Sequence, residues 1–327
     1  MTDSIPPILI EKSLTAMDFR SVRIEVSMEQ PRRKVQFLDQ TQSANISIFY
    51  AQTFKGKRVF DQRIKSETSI SHRAAFCDGA RCANIQFYRD DIEKQQVIQI
   101  EHSFMDDMKS NQLSIPFPLH IFYVGARPLP EALTSGELFP SDEILFRVCR
   151  VVHFSEVGSR KQDMIYHIDS ETGVPLKIEN YWDKEQYASR LPFWVWEASD
   201  LENVSGYFLP MNSTYEEFVV VKDANGVWTS KSDMRQSIAV KKVEFNTAIE
   251  DSTFWPKFQK GVFVRDSITK KSYNASGVKG DETSSLKSDD FIRVENQRAW
   301  TSWYAGIGVA SSVIILFAAI LLKRRLG

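Results

Sequence analysis

Gln162 to Tyr181 reads QDMIYHIDSETGVPLKIENY, two runs rich in apolar, aromatic and β-branched residues on either side of a turn at Glu171-Thr172-Gly173. Strands over 162–169 and 175–181 joined so tightly form an antiparallel hairpin. The same pattern continues in both directions. Val22, Ile24 and Val26 alternate with Arg23 and Glu25, and further strands are predicted over 44–51, 73–77, 82–88, 96–104, 143–155, 193–197, 215–222, 227–230 and 236–246. Asn225-Gly226 between two valine-rich runs is a two-residue hairpin signal. Successive strands with short turns make a meander, so the fold class is mainly β with some α.

Helical periodicity is scarce. One helix is predicted over Ile8 to Met17, presenting Ile10, Leu14 and Met17 on one side. Residues 116–133, with prolines at 116, 118, 128 and 130, are expected to hold a loop and a short helix over one mouth of the sheet. In Phe193-Trp194-Val195-Trp196 consecutive bulky residues put rings on both faces of a strand. Such a sheet is covered on both sides or curved around an apolar hollow. The candidate lining of that hollow is Phe193, Trp194, Trp196, Phe208, Phe218 and Trp228, which would suit an acyl chain. The alternative is an interior packed solid.

With 327 residues, 43% hydrophobic and 25% charged, the chain can bury a sizeable core. A formal charge of -1 excludes the broad basic footprint of a nucleic-acid binder. That near-neutral sum has unlike parts, because Lys323, Arg324 and Arg325 close the chain after a charge-free stretch from Ala299 to Leu322. The run 305–322 alone would make a helix of roughly 27 Å, enough for a bilayer core. Trp300, Trp303 and Tyr304 mark its other interface. The division is therefore a β domain over 1–275, a polar stalk over 276–298, a transmembrane helix over 299–322 and a basic cytoplasmic tail over 323–327. Clustering of the final charges favours a cytoplasmic tail, hence a single-pass protein with its domain extracytoplasmic. Met1 to Gln30 has no secretory signal pattern. Either the chain begins downstream of its natural start, or it is tail-anchored with a cytosolic domain.

Cys77 and Cys82 bracket Asp-Gly-Ala-Arg and could bond across a hairpin in an oxidising compartment, or remain free thiols. No spacing of cysteine and histidine points to zinc or another metal, and no cofactor motif is present. The patterns of serine hydrolases, zinc proteases and phosphate-binding loops are missing too, so the chain is expected not to be an enzyme. His102, His153 and His167 fall within strands, where structural roles are expected. Glu101-His102 with Asp106-Asp107 reads as a solvated strand end.

Three stretches carry a resemblance. They are His167 to Leu176 (HIDSETGVPL), Ser205 to Pro210 (SGYFLP), and Val243 to Asn246 followed by Asp251 to Phe254 and Phe258 to Asp266. Together they resemble extracytoplasmic domains related to the bacterial outer-membrane lipoprotein carriers, over about 143–273. The resemblance implies an unclosed antiparallel β half-barrel with short capping helices, the last stretch supplying its closing strand. It also implies an apolar concavity that receives lipid or lipoprotein acyl chains without catalysis. Carriers diffuse between membranes, whereas a C-terminal anchor added to this resemblance implies a tethered sensor or handover protein in the inner membrane, with its domain in the periplasm. The alternative function is a structural or interaction module of the envelope with no lipid pocket.

Overall fold

The computed structural model describes residues 5–275 apart from 35–40, 54–56, 67–69, 88–92, 103–117, 126, 159–160, 183 and 223–225. The first half of the chain contributes α1 (Pro7–Met17), then β1 (Ser21–Lys34), β2 (Thr41–Thr53), β3 (Arg58–Ser66), β4 (Ile70–Cys77), β5 (Arg81–Phe87) and β6 (Gln95–His102). A 3-10 turn at Leu119–Phe122 leads into a small pair, β7 (Tyr123–Val124) and β8 (Arg127–Pro128), and then α2 (Leu129–Leu133). After these come β9 (Glu137–Ile144), β10 (Arg147–Val157), β11 (Gln162–Asp169), β12 (Pro175–Tyr181), α3 (Lys184–Ala188) and β13 (Trp194–Ala198). The remainder comprises the small hairpin β14 (Glu202–Val204) and β15 (Tyr207–Leu209), the long β16 (Asn212–Lys222) and β17 (Trp228–Phe245), and β18 (Phe263–Asp266) and β19 (Lys271–Asn274).

Fifteen of these strands form one sheet in the order β19-β18-β6-β5-β4-β3-β2-β1-β17-β16-β13-β12-β11-β10-β9. Its two edges do not meet, so the sheet is unclosed. Two meanders run outward from a seam where β1 pairs with β17, with Val22 opposite Phe245. The seam corrects one expectation: the strand that ends at Val243 to Phe245 does not close the sheet but stands at its centre. A second correction concerns direction, since β18 lies parallel to β6 in an otherwise antiparallel sheet. A parallel neighbour requires a crossover, and residues 246–262 supply it. Phe254 on this segment packs against Ala51 and Val59, and Trp255 and Phe258 pack against the cluster of Ala83, Ile85, Ile98 and Ile100.

The crossover covers one face of β2 to β6, whereas α1 and α2 cover the opposite face from β1 to β11. The face bearing α1 is called inner here. Its core joins Leu9 of α1 with Val22, Ile24, Tyr166, Ile168, Leu176, Trp196 and Phe245. β11 is buried along nearly its whole length, because Met164, Tyr166 and Ile168 belong to the inner core while Ile165 packs with Tyr181 and Tyr187 under α3. This double burial explains its unbroken apolar run in sequence.

Helix α1 buries Leu9, Ser13 and Ala16, and leaves Ile8 54% and Leu14 55% exposed. The predicted stripe of Ile10, Leu14 and Met17 is thus rotated in part: Ile10 and Met17 pack at the edge of the core and Leu14 is turned to solvent. The cause is Gly173, where an added Cβ would stand 2.5 Å from the backbone of Lys12 and Ser13. A helix docked so closely must present its smallest side chains. Ser13 Oγ donates to Gly173 O at 3.1 Å and Lys12 Nζ to Ser170 O at 2.7 Å.

Two strand boundaries also differ from expectation. The run 143–155 is two strands, because Leu145 and Phe146 turn the chain with φ of 54° and 59°. Leucine and phenylalanine rarely adopt that conformation, and nothing in their type marks a turn. Conversely, 227–230 and 236–246 belong to the single strand β17. Its polar middle, from Ser230 to Arg235, pairs with β16 in a ribbon largely open to solvent, so no burial imposes alternation.

The predicted stalk, membrane helix and tail at 276–298, 299–322 and 323–327 lie outside the described residues, as do Asp106, Asp107 and Asn225. Among the described residues no helix is long and apolar enough to cross a membrane.

Candidate functional site

Helix α1 is fastened at one end of the inner face. It bonds to the turn between β11 and β12, and beyond it Phe19 packs edge-on against Tyr207 and at 5.5 Å from Phe245. Tyr207 in turn donates to Asp18 O at 2.7 Å. Trp196 lies in the packed core, wholly inaccessible to solvent, with Nε1 donating to Ser213 Oγ at 3.1 Å.

Moving along the same strands away from α1, the inner face changes character. Cross-strand register places Ile46 beside Met28, Met28 beside Ile238, and Trp194 two residues before Trp196 on the same face. Trp194 and Tyr215 rings lie 5.6 Å apart. Ile46, Trp194, Tyr215 and Met234 are only half-buried, with Asn180 and Gln236 beside them and Glu217, which accepts from the Tyr215 hydroxyl at 2.8 Å, between Trp194 and Met234. The row ends in Val219 and Val221, 40% and 50% exposed. An aromatic and apolar strip, crossed by Glu217 between Trp194 and Met234, therefore runs from packed core to solvent.

The six predicted lining residues do not share one face. Trp194 and Trp196 point inward by strand alternation, and Phe208 on β15 packs against the edge of the same core. Phe193 precedes Trp194 and so faces outward, where its ring meets Trp182 at 4.8 Å. Phe218 and Trp228 are outward as well: a register shift after Glu217 pairs Phe218 with Ser232, and Lys222, opposite Trp228, reaches Glu185 of α3. Sequence reasoning missed Met28, Ile46, Tyr215, Met234 and Ile238. The alternation of Val22, Ile24 and Val26 extends to Met28 and was the available signal.

Cys77 and Cys82 occupy directly opposed positions on β4 and β5 and are joined by a disulfide. Cys149 is buried, and loss of solvent pushes its thiol up to about 11. A thiol so held is a poor nucleophile.

The outer face of β9 to β12 carries the buried histidines. His153 Nε2 lies 3.2 Å from Asp163 Oδ1, and its ring stacks on Tyr187 at 4.5 Å. His167 Nδ1 lies 3.0 Å from Asp142 Oδ2, while Nε2 is 3.8 Å from Glu179 Oε1. Glu179 is held by Lys177 Nζ at 2.7 Å and accepts from the Tyr181 hydroxyl at 2.6 Å. Among the described residues no group of three His, Cys, Asp or Glu is arranged to hold a metal.

These contacts set an acid sensitivity. Burial lowers the His167 pKa below the ordinary 6.5, despite the attraction of Glu179. Burial alone would raise Asp169, but hydrogen bonds from Arg147 and Thr172 outweigh it and hold the carboxyl below 3.8. Glu179 is held below 4.5 in the same way, burial being outweighed by Lys177 and Tyr181. In all three cases the folded chain takes up its proton less readily than the unfolded chain, so stability is full at pH above the unfolded values and falls with acidification. The loss should begin below pH 6.5 through His167 and deepen below 4.5 and 3.8 through the carboxylates. Urea midpoints measured from pH 7.5 downward should decrease steadily, and a midpoint that rises between pH 7 and 5 would contradict the assignment.

No protein-family model matches the sequence, and no curated protein matches it. Among solved structures, a DUF1329 family protein from Desulfovibrio piger aligns at 9% identity over 76% of this chain and 94% of its own, with a TM-score of 0.39. A protein described as an outer membrane lipoprotein-sorting domain, from Vibrio parahaemolyticus, aligns at 9% identity over the same shares with a TM-score of 0.44. Likeness of this degree carries no argument about activity, and the functional reading rests on the molecule itself.

Proposed function

We propose that this chain is a non-enzymatic, membrane-tethered protein of the cell envelope that holds a lipid or lipoprotein acyl chain against the inner face of its open sheet. One observation carries the reading: Ile46, Trp194 and Tyr215 are half-buried and pack against the core at its open end, with Met234 beyond them across Glu217. A packed interior gives way there to a surface that is largely aromatic and apolar yet reachable, with Asn180, Glu217 and Gln236 at its margins, a setting that can take up an aliphatic chain. In this reading residues 299–322 span the inner membrane, 276–298 form the stalk, 323–327 stay cytoplasmic, and the domain faces the periplasm.

The magnitude fits transient holding. Covering about eight methylenes at ~0.8 kcal/mol each yields about 6 kcal/mol, equivalent to a dissociation constant of tens of micromolar at best. Ordering costs weaken it further. Such a hold suits a sensor or a handover step more than storage.

The test uses the full chain in lipid nanodiscs, incubated with a photoactivatable diazirine fatty acid and mapped by mass spectrometry. Labelled peptides should come from β13, β16 and the paired ends of β1 and β2, and Trp194→Ala should reduce that labelling several-fold. Labelling confined to 299–322 would exclude acyl binding by the sheet and leave an envelope interaction module with a solid core.

A further inference from the structure

The outer face of the second meander contains a cavity of about 320 Å³ that opens to solvent, at the lower end of the size range of small-molecule sites. It lies on the other side of the sheet from the acyl strip and does not depend on that reading. Val151, Ile165 and Pro192 give it an apolar floor. Its charged lining cancels: Asp142 and Glu179 stand against Lys177 and Arg190, and Lys177 is already committed to Glu179 at 2.7 Å.

His167 is the informative residue. Its side chain is 8% exposed and lines this cavity, yet neither ring nitrogen makes a hydrogen bond of good geometry, Nδ1 having only the Asp142 carboxylate near it. The Asp142 carboxylate 3.0 Å from Nδ1 favours the proton on that nitrogen, which leaves the Nε2 lone pair as an acceptor. Glu179 Oε1, 3.8 Å away, is an acceptor too, so these two groups cannot satisfy each other. A buried polar atom without a partner is costly. A ligand hydroxyl placed beside Nε2 would donate to it, while Arg190 at the rim offers donors to an acceptor on the same ligand.

We infer that this cavity is a binding site for a neutral, polyhydroxylated ligand, a sugar ring. Three features select that class. The balanced charge gives no net field for an anion or a cation. The lining holds both donors, on Lys177 and Arg190, and acceptors, on Asp142, Glu179 and His167, and each sugar hydroxyl is both. The floor of Val151, Ile165 and Pro192 matches the C–H face of a pyranose. An acyl chain is a poor occupant, because it would leave Nε2 of His167 unpartnered.

The experiment uses the full chain in lauryldimethylamine oxide, a detergent without a sugar headgroup, with glucose and N-acetylglucosamine as probes and saturation-transfer difference NMR as the readout. At least one probe should give a saturable signal in the millimolar range. Arg190→Ala, at an exposed position, should weaken it tenfold or more, as should His167→Leu, which keeps the packing volume. If His167→Leu does not fold, Arg190→Ala decides. No signal with either sugar, or one unchanged by Arg190→Ala, would overturn the assignment. Fatty-acid labelling of the same samples reads the inner face separately, so either site can fail without the other.

Discussion

Trp196→Ala is expected to lower the free energy of unfolding by about 3–5 kcal/mol, the range for removing a large ring from a packed core. The side chain has no solvent exposure and stands on β13 between Ile178 of β12 and Tyr215 of β16. Alanine would leave a cavity there, together with the Ser213 hydroxyl deprived of the indole N–H it now accepts from at 3.1 Å. Domains of this kind are stable by roughly 5–15 kcal/mol, so the variant should approach the threshold of unfolding at 37 °C. Urea denaturation at pH 7.5 measures the effect. Trp196→Phe keeps most of the volume and loses the hydrogen bond, and it should cost about 1–2 kcal/mol. A loss below about 1 kcal/mol for the alanine variant would mean that the inner face is hollow at this level, not packed. Trp194, two residues away and half-buried, should show the reverse balance, with a small stability change and a large loss of acyl labelling.

Gly173→Ala is expected to destabilise by about 2–5 kcal/mol. A left-handed backbone costs an L-residue about 1–2 kcal/mol, and φ here is +75°. Overpacking adds about 1–3 kcal/mol, since the new Cβ would stand 2.5 Å from Lys12 C and Ser13 N, backbone atoms that no rotamer change can move. Relief requires α1 to lift, breaking the bonds of Ser13 to Gly173 and Lys12 to Ser170. Hydrogen exchange in α1 should therefore accelerate more than exchange in β4 and β5. Gly261 is the matched comparison, with φ +81° and open space around its Cβ position, so Gly261→Ala should carry only the backbone cost. Equal effects at the two glycines would show that the contact with α1 is not tight.

Local pattern made much of this architecture legible. The hairpin of β11 and β12 lies where Glu171-Thr172-Gly173 predicts it, because turn chemistry is decided by residues within a few positions of one another. The mainly β character and the N-terminal helix follow from periodicity in the same way. Failures cluster where the deciding contact is remote or absent. Leu145 and Phe146 form a turn that their types disfavour, held by the pairing of β9 with β10. The polar middle of β17 looks like a loop because its ribbon is largely solvent-exposed and hydrophobic alternation has nothing to act on.

The candidate sites divide along the same line. Aromatic content in β13 was visible, but Phe218 and Trp228 could not be assigned a face, since the register shift after Glu217 arises from pairing between strands. Lys177 and Glu179 carry no site signal within β12, and only the packing of Asp142, Val151, His167, Arg190 and Pro192 around them makes a cavity. By itself the sequence determined the class of structure, the turns and which residues seek burial, all properties of short stretches of chain. The tertiary structure alone decided that β1 meets β17 across more than two hundred residues, that the two halves of the sheet are covered on opposite faces, and that His167 faces a cavity with an unpartnered nitrogen. Those outcomes depend on which distant surfaces exclude water from one another, and that is a property of the assembled sheet and not of any segment within it.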